Sequence, residues 1–217
     1  MNSSAARAAQ LYTAAREYVA VAGLEHEIRW QRDLKLEEFT ETDLLREGAW
    51  VILCSGFREA SVRGVFNYLS LCFFDFEDAS KIASAGATCT NAARVGFKNL
   101  LKLRAIVRMA EQIVTIGFDR FKERVLSDPV SELQVIPFIG PITAVHLAKN
   151  LGLDSAKPDR HLLRASLALG YSSPLALCDS LSQMFNEQVN VVDLILWRYL
   201  ADNPNKRATW GDSKSFR

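Results

Sequence analysis

Apolar side chains recur every three or four positions along most of this chain, and no clean alternating series interrupts them. That spacing is the mark of helices with one buried face. Leu11, Ala14, Ala15, Tyr18, Val19 and Ala22 predict a helix over 4–22. TDLLREGAWVILCSG predicts another over 42–56, and EASVRGVFNYLSLCF a further one after Phe57-Arg58. The β-branched and aromatic content of VRGVFNYLSLCFF would also suit a strand, but its length and its neighbours favour helix. Short helices fit 77–86 and 90–95. Residues 99–116 give the clearest amphipathic pattern, with Leu100, Leu103, Val107, Ala110 and Val114 on one face. A helix over 118–127 follows. Asp128 caps a helix with Pro129 in its first turn, and this helix ends at Pro137. Pro141 opens the next, which closes near Gly152. Further helices start after Asp159 and fit 174–187 and 189–201. The reading is all-α, about ten helices with short connections.

Composition agrees with an ordered globular chain. Apolar residues make up 49% and charged residues 24% of 217 positions, which excludes disordered, collagen-like and rod-like classes. The length allows one generous domain or two small lobes. The expected organisation is an N-terminal helix and connector over 1–39, packing with the C-terminal lobe. A middle lobe follows over 40–125, a second lobe over 126–201, and a polar tail over 202–217. The net charge of +1 carries no global signal for nucleic acid, but charge is unevenly spread. Glu25 to Glu47 holds eight acidic and four basic residues and reads as a solvated connector, with Trp30 its notable large side chain. Arg94 to Arg124 holds eight basic and three acidic residues and is the most basic block. Cys54, Cys72, Cys89 and Cys178 form no CxxC pair, and there are three histidines. Neither a metal site nor another cofactor is expected, and the cysteines read as reduced thiols. No stretch reaches the roughly 18 apolar residues of a membrane span. The expected location is cytoplasmic, at the nucleoid of a prokaryote, or nuclear in a eukaryote.

The segment IPFIGPITAVHLAKNLGLDSAKPDRHLLR, residues 136–164, carries the candidate chemistry. Gly140 is expected to supply the unusual backbone angles of a tight turn between two helices. The turn and the following helix start present free N–H groups, which hold a phosphate oxygen without a charged side chain. Asp159 opens a helix after Lys157-Pro158. It reads either as a plain N-cap or as an anion placed to stabilise an oxocarbenium-like centre while a glycosidic bond breaks.

Together these two elements resemble the helix–hairpin–helix DNA glycosylase superfamily. There, a hairpin of the form L-P-G-x-G-x-x-T-A precedes an acidic residue in a V-D-x-H-V-like segment. Here the hairpin is Ile136-Pro137-Phe138-Ile139-Gly140-Pro141-Ile142-Thr143-Ala144, and the acidic segment is Pro158-Asp159-Arg160-His161-Leu162-Leu163-Arg164. Lys102-Leu103-Arg104-Ala105-Ile106 loosely resembles the family's N-x-K-A-x-x-I stretch. The resemblance implies a two-lobed fold with a DNA-binding cleft, and Asp159 as the catalytic aspartate. It implies DNA-backbone contacts from Phe138, Ile139, Gly140, Ile142 and Thr143. Lys157, Arg160, Arg164, Lys102 and Arg104 are further candidates for phosphate contact. The partner would be double-stranded DNA containing a damaged or modified base, bound by a monomer.

The departures from the pattern are informative. Phe138 replaces the first hairpin glycine. F-V-G-P turns occur in the family's alkylated-adenine branch, but four residues do not assign that branch. Ile142 stands where bifunctional members carry a lysine that forms a Schiff base, so a monofunctional glycosylase using water is expected. The family's C-terminal four-cysteine cluster is missing. Cys54-Ser55-Gly56-Phe57-Arg58 occupies the place of the turn that fills the gap left by a flipped nucleotide, which makes Phe57 and Arg58 wedge candidates. Trp30, Trp50 and Tyr68 are base-pocket candidates, and Glu38, Glu41 and Asp43 are candidates for a second carboxylate. The alternative from another class is a non-enzymatic DNA-binding protein in which Asp159 is only a cap.

Overall fold

The computed structural model describes residues 3–203. These residues form thirteen α-helices and no strand. Of the polar tail expected over 202–217, Asp202 ends the last helix and residues 204–217 lie outside the described residues. The chain starts in one compact unit, leaves it at residue 34, builds a second unit over 35–151, and returns to the first at 152.

The first unit opens with α1 (Ser3–Val21) and α2 (Glu25–Asp33). Part of the acidic connector expected over 25–47 is therefore helical. Most of its charges face water, but Glu27 turns inward, and Ile28 and Gln31 are buried and give α2 an inner side. The unit is completed by α11 (Arg160–Ala168), α12 (Pro174–Phe185) and α13 (Val189–Asp202). α13 packs against all four of the others. Its Val191, Val192, Ile195, Leu196 and Leu200 are buried together with Leu11 and Val19 of α1, Ile28, Leu162 and Leu177. Arg198 donates two hydrogen bonds to Glu27, at 2.6 and 2.7 Å, which ties α13 to α2. Both side chains are nearly buried, and the paired forks answer the charge each brings inside.

The second unit starts with α3 (Glu41–Cys54), entered through a capping box. Thr40 accepts from the Asp43 amide at 3.2 Å, and Asp43 accepts from the Thr40 amide at 2.8 Å. α4 (Glu59–Cys72), α5 (Ala79–Ser84), α6 (Gly86–Ala93), α7 (Leu100–Ile116), α8 (Phe118–Ser127), α9 (Pro129–Leu133) and α10 (Pro141–Asn150) complete it. α7 is packed by α3, α5, α6 and α8. It therefore buries more than the stripe its sequence pattern predicts. Leu103, Ala105, Ile106, Val107, Met109, Ala110 and Ile113 are buried, whereas Val114, expected inside, is exposed. Gly48 of α3 lets Met109 approach, since a Cβ there would lie 2.4 Å from the methionine sulfur.

The lobe boundary expected at 125/126 is not where the packing divides the chain. α9 packs on α8, and α10 packs on α9 and α3, through Leu133, Ile136, Ile139, Ala144 and Leu147. The division falls between Leu151 and Gly152. Gly140 and Asp159 consequently belong to different units. The four cysteines form no disulfide; two are buried and two half-buried.

Candidate functional site

In the first unit, Asp159 is the N-cap of α11. Its backbone is extended (φ −82°, ψ 166°), and its Oδ1 accepts from the amides of His161 at 2.8 Å and Leu162 at 3.0 Å. Two of the free donors of the helix start are satisfied this way. Oδ2 accepts no hydrogen bond among the described residues, and the side chain is half-buried. The approach loop is pinned from α13. The Lys157 amide donates to Oδ1 of the buried Asp193 at 2.9 Å, and the Asn190 amide donates to Asp154 at 2.8 Å. Asp193 was not singled out from the sequence, because its bond partner lies 36 residues away. Arg160 and Arg164 follow Asp159 one turn apart on α11, both exposed. Lys157 is half-buried. Trp30 also belongs to this unit, on α2, with its ring partly exposed.

In the second unit, the turn between α9 and α10 differs from expectation in its backbone. Gly140 has φ −96° and ψ −176°, an extended N-cap that any residue adopts. The left-handed position belongs to Phe138, at φ +67°. A non-glycine residue there costs about 1–2 kcal/mol. The pattern of the glycosylase hairpin has glycine at this position. The free amides also differ. Ile139 N–H donates to the Ile136 carbonyl at 3.1 Å, and Gly140 N–H donates to Thr143 Oγ1 at 2.7 Å. The Ile139 side chain is buried and anchors the turn. The Ile142 and Thr143 amides, in the first turn of α10, have no acceptor among the described residues. Ile142 is exposed.

The structure brings together three residues that the sequence placed far apart. The Lys102 amine lies 5.5 Å from the centre of the Phe57 ring and 5.4 Å from that of Phe138. Lys102 was expected to reach a phosphate. It is instead only 4% exposed and donates to the Ile52 carbonyl, one of the orphan acceptors in the last turn of α3. Burial pushes its pKa down. Phe57 and Phe138 are 45% and 47% exposed, so the cation supports two aromatic residues that each reach solvent; the Phe57 ring also packs against Phe97, with centroids 5.1 Å apart. Phe57 is the last residue of a type II turn over 54–57. The Phe57 amide donates to the Cys54 carbonyl at 3.1 Å, with Ser55 at φ −60°, ψ 111° and Gly56 at φ +76°. Only glycine takes that third position without strain. Arg58 is exposed and is the N-cap residue of α4.

Other candidates have structural partners. Trp50 packs edge-on against Phe66, with Arg63 over its ring. Tyr68 donates to the Ala92 carbonyl at 2.8 Å. Glu38 pairs with Lys35, Glu41 accepts from the Ala79 amide, and Asp43 is held in the capping box. Sequence reasoning missed Glu47, whose pKa desolvation pushes up to about 7. It accepts a 2.7 Å bond from Asn150 at the end of α10. Arg104 is exposed, as expected, but lines a cavity with Arg94 and Arg108.

No helix among the described residues is long and apolar enough to cross a membrane. No family model matches the chain, and no curated protein or solved structure matches it either.

Proposed function

We propose that this chain is a monofunctional DNA glycosylase, which hydrolyses the bond between a damaged or modified base and its deoxyribose. The supporting observation is the Asp159 carboxylate: one oxygen is fixed by two amides at the start of α11 and the other is unengaged. Ordered in this way, the anion needs little reorganisation to meet a positive charge. In the proposed reaction the base leaves with the bonding electron pair, and positive charge develops on the sugar. Asp159 stabilises that charge and orients a water molecule, which adds to the anomeric carbon, and the proton the water loses ends on the departed base. The product is an abasic site and a free base.

The open amides of Ile142 and Thr143 suit a backbone phosphate. Arg160 and Arg164 suit further phosphates, which position DNA without reading sequence. Phe57 suits the role of wedge, since an exposed aromatic ring replaces stacking lost when a nucleotide leaves the duplex. Phe138 stands beside the same lysine and extends that apolar surface. The reading places the catalytic step on the first unit, at Asp159. Its alternative, a DNA-binding protein without catalysis, is favoured by the fact that the Oδ1 bonds of Asp159 already make a complete helix cap.

Mass spectrometry of free bases released from a panel of duplexes with alkylated, oxidised, deaminated and mismatched bases tests the proposal. Release from at least one duplex is expected, with strands breaking only after alkali. Borohydride should trap no covalent protein–DNA adduct, because Ile142 offers no amine. Duplex binding without release of any base would favour the alternative.

A further inference from the structure

We propose a second binding site, for a phosphorylated small molecule, in the cavity between α5, α6 and α7. It does not depend on the base-excision reading. The cavity has a volume of about 380 Å³ and is lined by Arg94, Arg104 and Arg108, with Glu111 the one acidic lining residue. The volume lies in the range of small-molecule sites, roughly 300–1,000 Å³. A contact to a single backbone phosphate needs no such hollow.

The lining follows from helix periodicity. Arg104, Arg108 and Glu111 fall on one stripe of α7, and Arg94 ends α6 across from it. α6 and α7 converge tightly because residue 86 is glycine; a Cβ there would lie 2.5 Å from a Val107 methyl. Ala87 and Val107 give the wall an apolar part, and Asn91 a polar one.

Charge identifies the ligand class. Arg32, Arg63, Arg124 and Arg198 are each paired with a carboxylate. Arg94, Arg104 and Arg108 have no such partner among the described residues. Three unpaired guanidinium groups around one hollow repel one another, and an anion relieves the repulsion. A carboxylate has two oxygens and engages one guanidinium fork fully. A phosphate monoester has three terminal oxygens and close to two charges at neutral pH, so it accepts from several forks at once. The organic part of the molecule would lie on the Ala87 and Val107 side.

The test is calorimetric titration of the full chain with 5′-AMP as the phosphorylated probe and adenosine as its uncharged counterpart. The same duplex used for DNA binding is titrated in parallel. We expect saturable binding of 5′-AMP at one site and none of adenosine. The double variant R94Q/R108Q, whose substituted side chains are exposed, should weaken 5′-AMP binding at least tenfold with an unchanged thermal midpoint. E111Q should tighten it about twofold, the size expected for removing one exposed like charge. Absence of saturable 5′-AMP binding would overturn the proposal, as would equal binding of adenosine. So would a double variant that binds 5′-AMP like the parent. Equal losses of 5′-AMP and duplex affinity in the double variant would assign the arginines to DNA phosphates and overturn the small-molecule site.

Discussion

Asp159 divides its carboxylate between two tasks, and substitution separates them. Asparagine caps a helix about as well as aspartate, whereas alanine costs about 0.5–2 kcal/mol. Urea unfolding should therefore place D159N within about 0.5 kcal/mol of the parent and D159A about 1 kcal/mol below it. Glu47 gives a pH-dependent test. Its folded pKa of about 7 lies above the 4.5 of an unperturbed glutamate. The folded chain thus holds a proton that the unfolded chain has released, so stability should fall as pH rises from about 4.5 to 7. E47Q keeps an oxygen for Asn150 and removes the charge. It should be the more stable protein at pH 8, by about 2–3 kcal/mol, with little difference at pH 4; unfolding curves at the two pH values check this. Asp159 was legible in the sequence because a cap is a local feature. Glu47 was not, since its desolvation depends on α10 packing against α3. The left-handed turn position was also misplaced. Composition favours Gly140 for it, but Thr143 pins Gly140 in an extended form, and the strain falls on Phe138.

Among the helices, existence was easier to read than orientation. The patterns for α1, α7 and α13 mark long helices, and the Asp128-Pro129 and Pro141 signals mark the starts of α9 and α10. α2 was hidden by its charge, because two inward residues are too few to show a period. The buried face of α7 was read too narrowly, since a helix packed by four others buries more than a single stripe. The α6–α7 crossing gives the test at this scale. G86A forces a methyl against Val107 and should cost about 1–3 kcal/mol. V107A makes room, so the double variant G86A/V107A should be more stable than the sum of the two single changes predicts. Thermodynamic cycles from denaturant unfolding measure that coupling.

For the whole chain, the sequence conveyed the all-helical class and missed the place of division. The paired helices α9 and α10 are close to Asp159 in sequence, but they pack with the unit that precedes them. Local pattern does not say which neighbour a helix will choose; the apolar face of α10 meets α3, almost 100 residues upstream. The proposed reaction rests on the Asp159 anion, and its central claim concerns the charge of that anion. The most direct measurement compares the parent chain with D159N on a duplex whose base the parent releases, recording free base by mass spectrometry and duplex affinity by fluorescence anisotropy. Loss of base release by about 10²-fold or more, with affinity retained within a few-fold, is the predicted result. Undiminished base release by D159N would contradict the account.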